Sequence, residues 1–119
     1  MNHNQIVQQF SFEKLDVWHV ILDIVELVET VAEAMPSKQG ELADQLRRAS
    51  GSMAGNFAEG FGKRGKDRLR YHGYALHSAY ETAGHVEVAN RKQLLTADQH
   101  SKLRALLLRA VSMLTRMTI

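Results

Sequence analysis

Apolar residues recur along most of this chain at intervals of three and four. That is the spacing of one face of an α-helix, and no stretch alternates as a half-buried strand would. The first such run opens with Phe12 and Leu15 and continues to Met35, where Pro36 stops it. Its polar positions, His19, Asp23, Glu26, Thr30 and Glu33, form one narrow stripe. Val17, Trp18, Val20, Ile21, Leu22, Ile24, Val25, Leu27, Val28 and Val31 fill most of the remaining circumference. One helix of a free-standing four-helix bundle needs an apolar arc only somewhat over about 100° wide. The surplus predicts a second buried contact, most simply with another copy of the chain.

A short connection, residues 36–40, leads to a second helix over residues 42–60, around which the rest is organised. Leu42, Leu46, Ala49, Met53 and Phe57 form its apolar stripe. Gln45, Arg48, Ser52, Asn56 and Glu59 form a polar one, turned about 100° from the first. Solvated helix faces are usually filled with interchangeable Lys and Glu. An amide, a cation, a hydroxyl, an amide and an acid in turn read as a hydrogen-bonding set that faces other protein. The glycine-punctuated turn from Gly60 to Gly65 ends this helix.

A third helix is predicted over residues 66–94, where Gly73, Ala75, Ala79, Ala83, Gly84 and Ala89 would let a partner helix approach closely. Thr96 and Gln99 have the spacing of a capping box for the fourth. Leu103, Leu106, Leu107, Ala110, Val111, Leu114 and Met117 supply its buried face. Short connections make each helix antiparallel to the last. The expected fold is all-α: an up-down-up-down four-helix bundle over residues 12–119, behind a loosely held polar arm, residues 1–11.

Length and composition narrow the function. At 119 residues the chain is one domain. It has no cysteine, hence no disulfide or thiolate chemistry, which suits the cytoplasm. The N-terminus lacks a signal-peptide pattern, and acids interrupt the longest apolar region, so no membrane span is expected. The net charge of +2 conceals a division: residues 1–46 carry −6 and the remainder +8. Such asymmetry steers a polyanion to one surface, or makes copies of the chain complementary to one another.

Three constellations could carry chemistry. Arg48, Ser52, Asn56 and Glu59, with Ser78 and Glu81 on the third helix, could form a small-ligand or catalytic site. Without a nucleophile or metal set beside the acids, they read better as a structural network fixing helix register, together with Gln45. Lys63, Arg64, Lys66, Arg68 and Arg70 are opposed only by Asp67. They read either as a solvated loop and helix start or, since cations at a helix start do not stabilise the helix, as a phosphate-binding rim for nucleic acid. Tyr71 and Tyr74 add stacking surfaces for unpaired bases. His77, Glu81 and His85 share a helix face, but a di-metal bundle needs a second such set, so neither metal nor cofactor is expected. No nucleotide fingerprint or Ser-His-Asp grouping is present, and the expectation is a non-catalytic protein.

The stretch QLRRASGSMAGNFAEGFGKR resembles the signature of the four-helix-bundle 23S rRNA intervening-sequence proteins. The matching positions are Leu42, Gln45, Arg47, Arg48, Ala49, Ser52, Asn56, Ala58, Glu59, Gly60 and Gly62. Phe12, Leu15, Val17 and Trp18 resemble the family's opening helix, and Ala75, Ser78 and Glu81 a further element. Met53 and Phe57 replace its usual isoleucines, and His72, Tyr74 and His77 depart from its third helix. The resemblance implies a homo-oligomer, commonly a pentameric barrel. A related branch, the accessory variability protein of diversity-generating retroelements, binds nucleic acid and a protein partner through a basic surface. Together these readings describe an oligomeric scaffold that binds RNA or DNA; the alternative is a small-molecule or metal-binding protein using Glu59, Glu81, His77 and His85.

Overall fold

A computed structural model of the chain describes residues 8–119, so the first seven residues of the expected arm lie outside the described residues. Four helices carry the fold: α1, Asp16–Glu33; α2, Gly40–Gly60; α3, Gly65–Arg91; and α4, Ala97–Arg116. Short 3-10 turns, Ser11–Lys14 and Ser37–Gln39, lead into α1 and α2. Each helix packs on its neighbours in the chain and α4 returns to α1. The helices therefore stand in a square, α1 diagonal to α3 and α2 to α4, as in an up-down-up-down bundle. Among the described residues there is no strand, and no helix is long and apolar enough to cross a membrane.

Local chemistry sets the helix ends. The expected capping box opens α4: the Gln99 N–H donates to Thr96 Oγ1 and the Thr96 N–H to Gln99 Oε1, both at 3.0 Å. The third helix stops at Arg91, three residues short of the expected end. Gln93 takes a left-handed φ of 61°, and the Leu94 N–H turns back to the Ala89 carbonyl at 3.0 Å. This is the double-bonded helix stop usually given to glycine, here built on glutamine.

The core is filled by Ile21, Ile24, Leu46, Met53, Phe57, Leu103 and Leu114, with Ala75, Ala79 and Ala89 letting α3 approach closely. The glycines expected to share that role do not: Gly73 and Gly84 face outward, and a Cβ at either would meet nothing within 4 Å.

Helix α1 also differs from its expected environment. Val17, Val20, Ile21, Ile24, Val28 and Val31 are buried, and Trp18, Val25 and Leu27 pack half-buried against the core. Phe12, 4.8 Å from Trp18 edge to face, and Phe57, stacked on it at 6.2 Å, close over its upper flank. Only Leu22, 40 % exposed, remains open among the large apolar residues of α1. The most exposed apolar side chains within helices stand instead on the opposite side of the bundle, Tyr80 of α3 at 59 % and Leu108 of α4 at 62 %.

Candidate nucleic-acid interface and the outer face of α2

The five cations of the α2–α3 turn fall into three kinds. Arg68 is turned inward: its Nε donates to the carbonyls of Gly60 and Lys63, each at 3.2 Å, and its Nη2 to that of Phe61 at 3.3 Å. The guanidinium also lies 4.9 Å over the Phe61 ring. Arg68 thus satisfies the open carbonyls at the negative end of α2, which is a structural task. Arg70 pairs with Asp67 at 2.9 Å, and Lys63 lies 3.9 Å from Glu59 and 5.1 Å over the Tyr71 ring. Arg64 and Lys66 are exposed and have no ion-pair partner among the described residues. They flank the start of α3, whose peptide dipole is already positive there. Tyr71 and Tyr74 meet edge to face at 5.2 Å, with Tyr74 42 % exposed.

The polar stripe of α2 faces outward, and only part of the expected network is joined. Ser52 Oγ accepts from Asn56 Nδ2 at 3.0 Å and from the Ser78 hydroxyl of α3 at 3.1 Å. Ser78 is buried, and its carbonyl accepts from the Thr82 hydroxyl at 2.7 Å. Gln45 is half-buried, while Arg48, Glu59 and Glu81 are exposed and do not meet one another. Arg48 has no ion pair among the described residues; its neighbour Arg47 has three acids. His85 lies 3.5 Å from Glu81, but no group of three or more His, Asp or Glu among the described residues could hold a metal ion.

Two charge clusters were not singled out from the sequence. Arg47 donates to Glu29 at 2.8 and 3.2 Å and lies near Glu33 and Asp44, which holds the Glu29 carboxyl below its ordinary range. On the opposite side, Glu87 accepts from His100 at 2.9 Å and from Arg104 at 3.1 Å, and these bonds lower its pKa in the same way. Both clusters are open to solvent and add little to stability.

A further feature that sequence reasoning missed is the burial of His72, 2 % exposed and packed against the rings of Phe57 at 5.2 Å and Phe61 at 5.1 Å. Its Nε2 has no hydrogen-bond partner among the described residues. Burial first, and then the charge of Arg68, push its pKa below the ordinary 6.5. The unfolded chain therefore binds a proton that the folded chain resists. The stability gained from a neutral His72 is complete above pH 6.5 and declines as pH falls below it. Thermal melts between pH 7.5 and 5 are expected to show this decline in the wild type and a flatter profile in His72→Leu; parallel profiles would contradict it.

Comparison with known proteins bears on the family and the fold. The sequence pattern of the family described as 23S rRNA-intervening sequence protein matches residues 13–116. A crystal structure of a protein of unknown function from the S23 ribosomal protein family of Bacteroides thetaiotaomicron superposes with a TM-score of 0.78 at 19 % identity. The match covers 86 % of this chain and 97 % of that one, a likeness of fold. No curated protein matches the chain.

Proposed function

The chain belongs to the 23S rRNA-intervening sequence protein family, and from that starting point we propose that it is a non-catalytic, homo-oligomeric scaffold, a ring of bundles whose basic turns bind RNA or DNA. The observation that carries this reading is the pair Arg64 and Lys66, exposed and unpaired among the described residues at the positive end of α3. Two cations placed where they destabilise their own helix are accounted for by an anion from outside. Tyr74, about two turns further along α3 and 42 % exposed, offers a ring face to an unstacked base. Repetition around a ring turns a weak contact into a useful one and gives a protein partner a platform. The cysteine-free composition fits the cytoplasm.

Fluorescence anisotropy with a mixed-sequence single-stranded oligonucleotide tests the reading. Binding is expected at low salt, weakening with a log–log slope of about 0.7 per phosphate contact. The double variant Arg64→Ala/Lys66→Ala should bind at least about tenfold more weakly with a shallower slope. Absence of binding by the wild type at low ionic strength would refute nucleic-acid binding.

A further inference from the structure

The two most exposed apolar side chains within the helices, Tyr80 and Leu108, flank a single groove of about 190 Å³ between α3 and α4. Ala83, Leu107 and Val111 form its floor, and Glu87 and Arg104 close one end. Nothing among the described residues covers it. The opposite side of the square, between α1 and α2, carries Leu22 and Gly51. Leu22 of α1 stands two turns before Glu29 on the same face, and Glu29 reaches across to Arg47 of α2, so Leu22 belongs to that side. One turn beyond Arg47 on α2 is Gly51, where a Cβ would meet nothing within 4 Å. An open glycine in mid-helix weakens the helix, and nothing among the described residues uses the room it leaves.

Charge follows the same division. The Lys92 ammonium lies 3.4 Å from Gln39 Oε1, which puts the end of α3 beside the start of α2. At that end of the bundle, the α1–α2 side carries Glu29, Glu33 and Asp44 against Arg47 alone. The α3–α4 side carries Arg104 paired with Glu87, and Arg91 exposed and unpaired among the described residues. One side is acidic and carries an open glycine; the other carries the unpaired Arg91 at the same height and two exposed apolar side chains.

We infer that these two sides are the halves of one head-to-tail interface, in which Tyr80 and Leu108 of one copy seat against Leu22 and Gly51 of the next. The inference rests on the oligomer proposed above and names its contact surfaces. Copies joined this way point in the same direction, with Arg91 and Arg104 of one beside the Glu29–Glu33–Asp44 cluster of the next. A contact between two different faces closes into a ring when its rotation permits, and is not a two-fold dimer. Every α2–α3 turn then falls on one rim, so the Arg64 and Lys66 pairs are gathered together.

Gel filtration with light scattering tests this on three samples: the wild type, Leu108→Glu, and the double variant Leu22→Glu/Gly51→Glu. The substituted positions are open in the protomer, and circular dichroism is expected to show wild-type helix content in both variants. The wild type is expected to run as an oligomer and each variant alone as a monomer. Mixed in equal amounts, the variants should form a dimer and nothing larger, because each retains one intact face. If Leu108→Glu keeps the wild-type mass, the assigned faces are wrong and the oligomer stands. If both variants are monomeric and the mixture remains so, the two faces do not meet each other and the head-to-tail contact is refuted. If one variant is monomeric and the other still dimerises, a two-fold contact through the altered side of the monomeric one replaces it. A monomeric wild type overturns the oligomer and this inference together.

Discussion

Phe57→Ala is expected to lower the unfolding free energy by about 3–5 kcal/mol, the largest loss of any single truncation in this chain. Phe57 is fully buried and stacked between Trp18 and His72, with Phe61 edge-on at 5.3 Å. It joins α1, α2 and α3 at the end of the bundle that carries the basic turn. Removing the ring leaves a cavity that three other rings cannot fill without leaving their rotamers. Urea denaturation followed by circular dichroism measures the loss. A change under about 1 kcal/mol would mean that the aromatic cluster is not the pin that holds this end together.

The second large effect comes from a single methyl group. A Cβ at Gly60 would stand 2.7 and 2.8 Å from ring atoms of His72. The imidazole is buried and packs on Phe57 and Phe61, so retreating from the new methyl disturbs those contacts. Gly60→Ala is therefore expected to cost about 1–3 kcal/mol, despite the better helix propensity of alanine. Gly55→Ala, where a Cβ would meet nothing within 4 Å, provides the contrast and should leave the fold no less stable. Equal melting of the two variants would show that the contact between Gly60 and His72 is not tight.

These residues also show how far the chain could be read without coordinates. The four helices were legible because three- and four-residue spacing is a local property, and so was the capping box at Thr96. The burial of His72 was legible too: it precedes Ala75 by three residues and Ala79 by seven, on the face that proved fully buried. It was passed over because histidine is usually polar surface.

Arg47 was harder to find. It adjoins Arg48 in sequence, and only the side of α2 on which α1 lies decides which of the two meets Glu29 and Glu33. The inward turn of Arg68 had the same character, since its three carbonyl partners exist only once the turn has closed. The apolar surplus of α1 was visible as composition. What covers it depends on how closely its neighbours approach, and they cover all but Leu22 among its large apolar residues. The unmatched apolar surface stands at Tyr80 and Leu108; Leu108 already fell outside the buried face read for the fourth helix, while nothing in the third marked Tyr80.

The claim on which the account turns is that this chain covers its exposed apolar face with copies of itself. Multi-angle light scattering of the wild-type chain, dilute and at ordinary salt, addresses it most directly. The expected mass is several times the 13.4 kDa of one chain, near five copies for a closed ring. A single species at 13.4 kDa, stable across concentration, would contradict it.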